Sequence, residues 1–222
     1  MILAIDSSTK NVGICIYNGN QVLYEKIWHS RRRHTVELSP AVSRALHETG
    51  LKVSSINCIA AAIGPGSFTS LRIGLALAKG LCLSLHLPLV GVPSLDITAY
   101  GKCKTAERMI CVLRAGRNRF AAQKYLVEND QWVPERDVFP ATAEELENLI
   151  NEPTIVCGEI NEEDRKILSR RWRNAIISNP ADNVRRPAYL AEIAWQRYLN
   201  GNANDVIQLE PIYLKTVSIP TD

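Results

Sequence analysis

Gly64-Pro65-Gly66-Ser67-Phe68-Thr69-Ser70-Leu71-Arg72-Ile73-Gly74 lies between an apolar run at 56–63 and a stretch of helical periodicity at 71–85. The run predicts a strand and the stretch a helix, so the segment is a strand-to-helix loop. Its composition supports two readings. The glycines permit a tight turn. The main-chain N–H groups, with the positive end of a helix behind them, can hold an anion. The turn reading takes precedence. No Lys follows a Gly at the place a Walker loop requires. Gly64, Gly66, Ser67, Thr69 and Arg72 are the candidate anion contacts, and Phe68 stands at the loop tip.

Residues 1–7, upstream of this loop, are apolar and close in polar residues, which predicts a strand buried on both faces. Residues 12–17 and 21–28 predict two more strands joined at Asn18-Gly19-Asn20, a dipeptide type that tolerates positive φ. Leu38, Val42, Ala45 and Leu46 recur with helical spacing in 35–49, and Pro40 lies near the start, where a missing N–H costs least. A short strand at 89–92 follows the second helix. The first half therefore reads βββαβα with a closing strand.

The order recurs downstream. Strands are predicted at 109–113, 119–127 and 131–139, and a helix at 142–149 that Thr142 and Glu145 open as a capping box. A strand at 154–157, a helix at 162–172 and a strand at 175–178 follow. A last helix near 188–199 precedes an extended tail with Pro211-Ile212-Tyr213-Leu214-Lys215. Helices alternating with strands imply an α/β fold, divided at 1–102 and 103–222, with the last helix able to pack back on the first half. Two βββαβα halves resemble the duplicated arrangement of sugar kinases, actin and Hsp70 chaperones, a likeness that carries no function by itself.

The 222 residues suit one large or two small domains. With 46% hydrophobic and 22% charged residues the composition is that of a soluble globule. The net charge of +3 does not make the whole chain an electrostatic nucleic-acid binder. Six cysteines, Cys15, Cys58, Cys82, Cys103, Cys111 and Cys157, include no Cys-x-x-Cys pair, and all but Cys103 sit in apolar stretches. Reduced, buried thiols are expected. No secretory signal is visible at the N-terminus. The most membrane-like window, 73–92, carries Lys79 near its middle, which costs roughly 2.5–3.5 kcal/mol in a bilayer. A core helix and strand are expected there, in a cytoplasmic protein.

Asp6 ends the first strand and precedes Ser7, Ser8 and Thr9. A carboxylate there can hold hydrated Mg²⁺ while the hydroxyls meet phosphate. The plainer reading is a turn capped by short polar side chains. The helix at 71–85 carries two stripes of small residues, Gly74/Ala78/Cys82 and Ala76/Gly80/Ser84. A helical Gly costs about 1 kcal/mol relative to Ala, so a close backbone approach is expected, either by the chain's own sheet or by a second protein. Arg31-Arg32-Arg33-His34, the group Arg114, Arg117 and Arg119, and the pair Arg185-Arg186 read as solvated loops, with RNA phosphate the alternative. His29, His34, His47 and His86 include no i, i+4 pair, so a helix-borne metal site is not expected. No Gly-x-Ser-x-Gly elbow is present.

Ile2-Leu3-Ala4-Ile5-Asp6-Ser7-Ser8-Thr9, the 64–74 loop, Ala78-Lys79-Gly80-Leu81, Val90-Gly91-Val92 and Ser94-Leu95 together resemble the TsaB family, strongly over 1–100 and faintly again at 211–215. The resemblance implies two ribonuclease-H-like halves. It implies a catalytically degenerate relative of TsaD that lacks TsaD's metal-binding histidine pair. The implied role is a scaffold that binds TsaD, with the ATPase TsaE joining, for transfer of threonylcarbamoyl to the tRNA adenosine beside the anticodon. ATP and Mg²⁺ would serve the complex rather than this chain alone, tRNA would be met indirectly or weakly, and a homodimer would form when the chain is alone. No membrane is implied. The helices at 35–49 and 71–85 would form the interface through Leu38, Val42, Leu71, Gly74, Leu75, Ala78, Leu81 and Cys82. Two positions depart from the family: Ser70 stands where Gly is usual, costing about 1–2 kcal/mol if φ must be positive, and Arg114 stands where Asp is common. The alternative reading is a nucleotide-dependent phosphotransferase of the sugar-kinase type resting on Asp6. A peptidase finds no nucleophile or metal set.

Overall fold

The structure, a computed structural model, describes residues 1–31, 33–116 and 118–214. The first half runs β1 (Ile2–Asp6), β2 (Asn11–Tyr17), β3 (Val22–His29), α1 (His34–Thr49), β4 (Cys58–Ala62), α2 (Phe68–Leu85), β5 (Leu89–Val92) and α3 (Ser94–Tyr100). The second runs β6 (Arg108–Arg114), β7 (Phe120–Glu128), β8 (Gln131–Pro134), β9 (Phe139–Ala141), α4 (Ala143–Leu149), β10 (Thr154–Gly158), α5 (Glu162–Leu168) and β11 (Ala175–Ile177), before α6 (Pro187–Leu199). The chain is α/β, with two mixed sheets.

One compact unit comprises Met1–Gly101 with Arg185–Ile212. Its sheet has the order β3-β2-β1-β4-β5, antiparallel between β1, β2 and β3 and parallel from β1 through β4 to β5. The unbroken apolar run of β1 is explained by its place in the middle. Leu3 and Ile5 pack with Leu38 and Val42 of α1 and with Leu75, Ala78 and Cys82 of α2. Ile2 and Ala4 face the other way and pack with Ala188, Leu190, Ala191 and Ala194 of α6. Alternate residues of a strand point to opposite faces, so a strand with helices on both sides must be apolar throughout. By length and composition α2 is also long and apolar enough to cross a membrane, but Leu71, Gly74, Leu75, Ala78 and Cys82 are buried within this unit.

The second unit holds Lys102–Val184 and, among the described residues beyond α6, Tyr213 and Leu214. Its sheet has the order β11-β10-β6-β7-β8, with β9 also paired to β7. Ile110, Val112, Phe120 and Val156 pack with Leu146 of α4 and Leu168 of α5. The expected capping box is formed: Glu145 N–H donates to Thr142 Oγ1 at 3.2 Å and Thr142 N–H donates to Glu145 Oε2 at 2.7 Å. Asn161 and Asp164 make a second box at α5.

Three local expectations are corrected. The strand expected at 131–139 is two, β8 and β9, which pair with different stretches of β7: the β8 ladder closes with Glu135 N–H on Lys124 O at 2.9 Å, and the chain rejoins β7 at Phe139 opposite Ala122. The helix expected at 162–172 ends at Leu168 and tightens into a 3₁₀ turn, Ser169–Arg171. Finally, α3 was not anticipated: seven residues are too few to show a helical period.

Candidate functional site

The Asp6 carboxylate ends β1 and is almost wholly buried. Its Oδ1 accepts from Ser8 N–H at 2.9 Å and Ser8 Oγ at 2.6 Å. Its Oδ2 accepts from Arg185 Nε at 2.5 Å, and Arg185 Nη2 also donates to Thr9 Oγ1 at 3.1 Å. The two charged side chains are 3% and 4% exposed. Both readings of Asp6 meet here: the turn is capped by its side chain, and the place beside the carboxylate is filled by an arginine.

The 64–74 loop is knitted to this turn. Ser67 N–H donates to Ser8 O at 2.7 Å, and Ser7 Oγ donates to Ser70 O at 2.8 Å. A Cβ on Gly66 would lie 2.1 Å from Ser8 O, so only glycine admits this approach. Gly64 has φ +102° and accepts at its carbonyl from Ser94 N–H at 2.7 Å, while Ile212 N–H bonds Ile63 O. Phe68 and Thr69 are exposed at the start of α2, and the Arg72 guanidinium lies 3.8 Å over the Phe68 ring. Of the candidate contacts, Asp6, Ser7, Ser8 and Gly64 are buried and Gly66 is half-buried, all held in the turn and loop architecture, whereas Ser67, Thr69 and Arg72 are exposed.

Ser70 is not strained. It sits inside α2, outside the positive-φ set among the described residues, and its Oγ donates to Ser67 Oγ at 3.0 Å. The cost foreseen for losing glycine there does not arise. Arg114 is tied down as well: it pairs with Asp164, its N–H donates to Glu159 Oε2 at 3.1 Å, and its guanidinium lies over Phe120. Arg186 forms an ion pair with Glu25, whose hydrogen bonds hold the guanidinium in its charged form. His34 is buried, with Nε2 3.4 Å from Thr9 O. Arg31, Arg33 and Arg119 are exposed; Arg32 and Arg117 lie outside the described residues.

A divalent cation with its nucleotide, the group a phosphotransferase reading needs, does not fit this turn. The carboxylate that would ligate the ion already has both oxygens engaged, and a fixed guanidinium charge stands where the cation would go. No cluster of three or more His, Cys, Asp or Glu set to hold a metal occurs among the described residues. Burial pushes the Cys15 and Cys58 thiols up to about 12 and Cys82 up to about 11, so these sulfurs stay protonated and inert.

The residues expected at an interface pack inward within this unit. Leu38, Val42, Leu71, Gly74, Leu75, Ala78 and Cys82 are buried inside their own unit, and Leu81 is packed against the same core. The apolar stripe of an amphipathic helix faces the core, so these side chains meet their own sheet. The other stripe, Ala76, Gly80 and Ser84, faces outward with Leu83, which is 59% exposed. Nothing in the sequence joins Arg185 to Asp6, because 179 positions separate them and no local pattern links the two.

The family described as "TsaD: tRNA N6-adenosine threonylcarbamoyltransferase" matches residues 22–157, more than half of the chain. The tRNA threonylcarbamoyladenosine biosynthesis protein TsaB of Bacillus subtilis (strain 168) is 29% identical over 218 residues, covering 96% of this chain and 93% of the relative. Among solved structures, YeaZ from Pseudomonas aeruginosa superposes with a TM-score of 0.76 at 20% identity, over 95% of this chain and 99% of the other. A ROK hexokinase from Thermus thermophilus shares the fold at a TM-score of 0.52 and 10% identity, over 88% and 99% of the two chains. The chain belongs to the TsaD family, and its likeness along nearly its whole length is to the TsaB proteins.

Proposed function

We propose that the chain serves tRNA threonylcarbamoyladenosine biosynthesis as a non-catalytic subunit that binds TsaD through the outward face of α2. The observation that carries this reading is the buried Asp6–Arg185 pair, which occupies the place a phosphotransferase needs for its metal. The names of the full-length relatives supply the pathway. The small outward stripe Ala76, Gly80 and Ser84 suits close approach of a partner helix, and Leu83 beside it adds apolar area. In this reading TsaE joins the pair, ATP and Mg²⁺ are bound by the partners, and the same face closes a homodimer when TsaD is lacking. The cytoplasm is the expected compartment.

Complementation tests the role. The gene restores threonylcarbamoyladenosine in bulk tRNA of a bacterial strain depleted of its own TsaB, and purified chain with millimolar ATP and Mg²⁺ gives no binding heat. No restoration by a chain expressed in folded form, or tight ATP binding by the chain alone, contradicts the reading.

A further inference from the structure

Trp172 is 73% exposed, although tryptophan is among the most buried residues on average. It follows the 3₁₀ turn Ser169–Arg171 at the end of α5, and Asn174 N–H bonds Arg171 O at 2.8 Å to fix the turn behind it. The Arg173 guanidinium lies 4.9 Å over the indole, which orients the ring while most of it stays in water. Arg170, Arg171, Trp172 and Arg173 are consecutive, with no acidic residue among them. The acid facing them is Glu147, 3.7 Å from Arg170 and 3.5 Å from Arg171. Both contacts are long, and the Arg170 side chain is 63% exposed, so a stronger anion can replace the carboxylate. Among the described residues Glu147 is the carboxylate paired with these arginines, and three cations against it leave the patch positive.

We propose that Trp172 with Arg170 and Arg173 is a docking patch for unpaired RNA nucleotides, a base stacking on the indole and the flanking phosphates meeting the arginines. Aromatic platforms flanked by arginine are how proteins hold single-stranded nucleic acid, and unpaired RNA bases are splayed out to reach them. The near-neutral net charge of the chain is no obstacle, because the positive charge is local. The inference rests on the tRNA reading above and goes beyond it by giving the chain its own RNA contact in the second unit.

The test uses the whole chain and a labelled tRNA transcript, followed by fluorescence anisotropy. Trp172→Ala weakens binding roughly five- to hundredfold, and Trp172→Phe, which keeps a ring, lies between it and the wild type. Arg170→Ala with Arg173→Ala lowers the dependence of log K on log salt by about 0.7 per arginine. Unchanged circular dichroism shows that the variants fold. No binding by the wild type, or less than twofold change in all three variants, overturns the proposal. Loss of TsaD association with RNA binding intact also overturns it, and makes the patch a protein contact. Restoration of the modified nucleoside in depleted cells is scored separately, so failure of the RNA patch is distinguishable from failure of the pathway assignment.

Discussion

Gly74 and Gly80 lie six residues apart on α2, yet a Cβ on Gly74 would sit 2.0 Å from Ser7 Oγ while a Cβ on Gly80 would meet nothing within 4 Å. Both lower helix stability by about 1 kcal/mol relative to Ala. For Gly74 the gain is internal. The missing side chain lets α2 lie against the Ser7 turn, whose hydroxyl donates to Ser70 O. For Gly80 no neighbour among the described residues uses the missing side chain, and the flat surface it leaves is what the proposed docking of TsaD would use. A small residue in a helix therefore has two physical meanings, and its neighbours, not its identity, decide which applies.

The largest effect that sharpens this contrast comes from the pin behind the Ser7 turn. Arg185→Met leaves the buried Asp6 carboxylate without its counter-charge and lowers unfolding free energy by about 3–5 kcal/mol in urea titration. Adding Asp6→Asn recovers most of the loss. Next comes Gly74→Ala, which overpacks the turn and costs about 1–3 kcal/mol despite better helix propensity. In the Arg185→Met background the same change costs less, because the turn can move aside, and a double-mutant cycle reads this coupling. A gain of stability from Gly74→Ala would break the comparison. Gly80→Ala does the opposite and raises stability by about 0.5–1 kcal/mol. Slightly smaller still, Gly80→Arg raises the stability of the isolated chain by about 0.3–0.8 kcal/mol, because Arg is nearly as good a helix former as Ala.

Most of the framework was legible because it rests on local signals. The apolar run of β1, the Asn18-Gly19 turn and the Thr142 capping box each announce themselves within a few residues. The two-sided burial of β1 was legible for the same reason. What could not be read were relations across the chain. Which stripe of α2 faces the sheet is undecided by spacing, since Gly74/Ala78/Cys82 and Ala76/Gly80/Ser84 are both small. The apolar positions chosen as the interface are the ones folding withdraws from solvent. Arg185 looked like part of a solvated basic pair, and only tertiary folding delivers it to Asp6 while Arg186 turns to Glu25. The two arginines are adjacent in sequence and differ tenfold in exposure, 4% against 45%.

The most direct measurement is co-purification of TsaD with the Gly80→Arg variant after its unfolding midpoint has been shown to be no lower than that of the wild type. Placing a long cation on the outward stripe of α2 keeps the two helices apart, so the account predicts that TsaD elutes alone while the wild-type chain carries it. Equal recovery of TsaD with variant and wild type would contradict the account and move the docking surface off this helix.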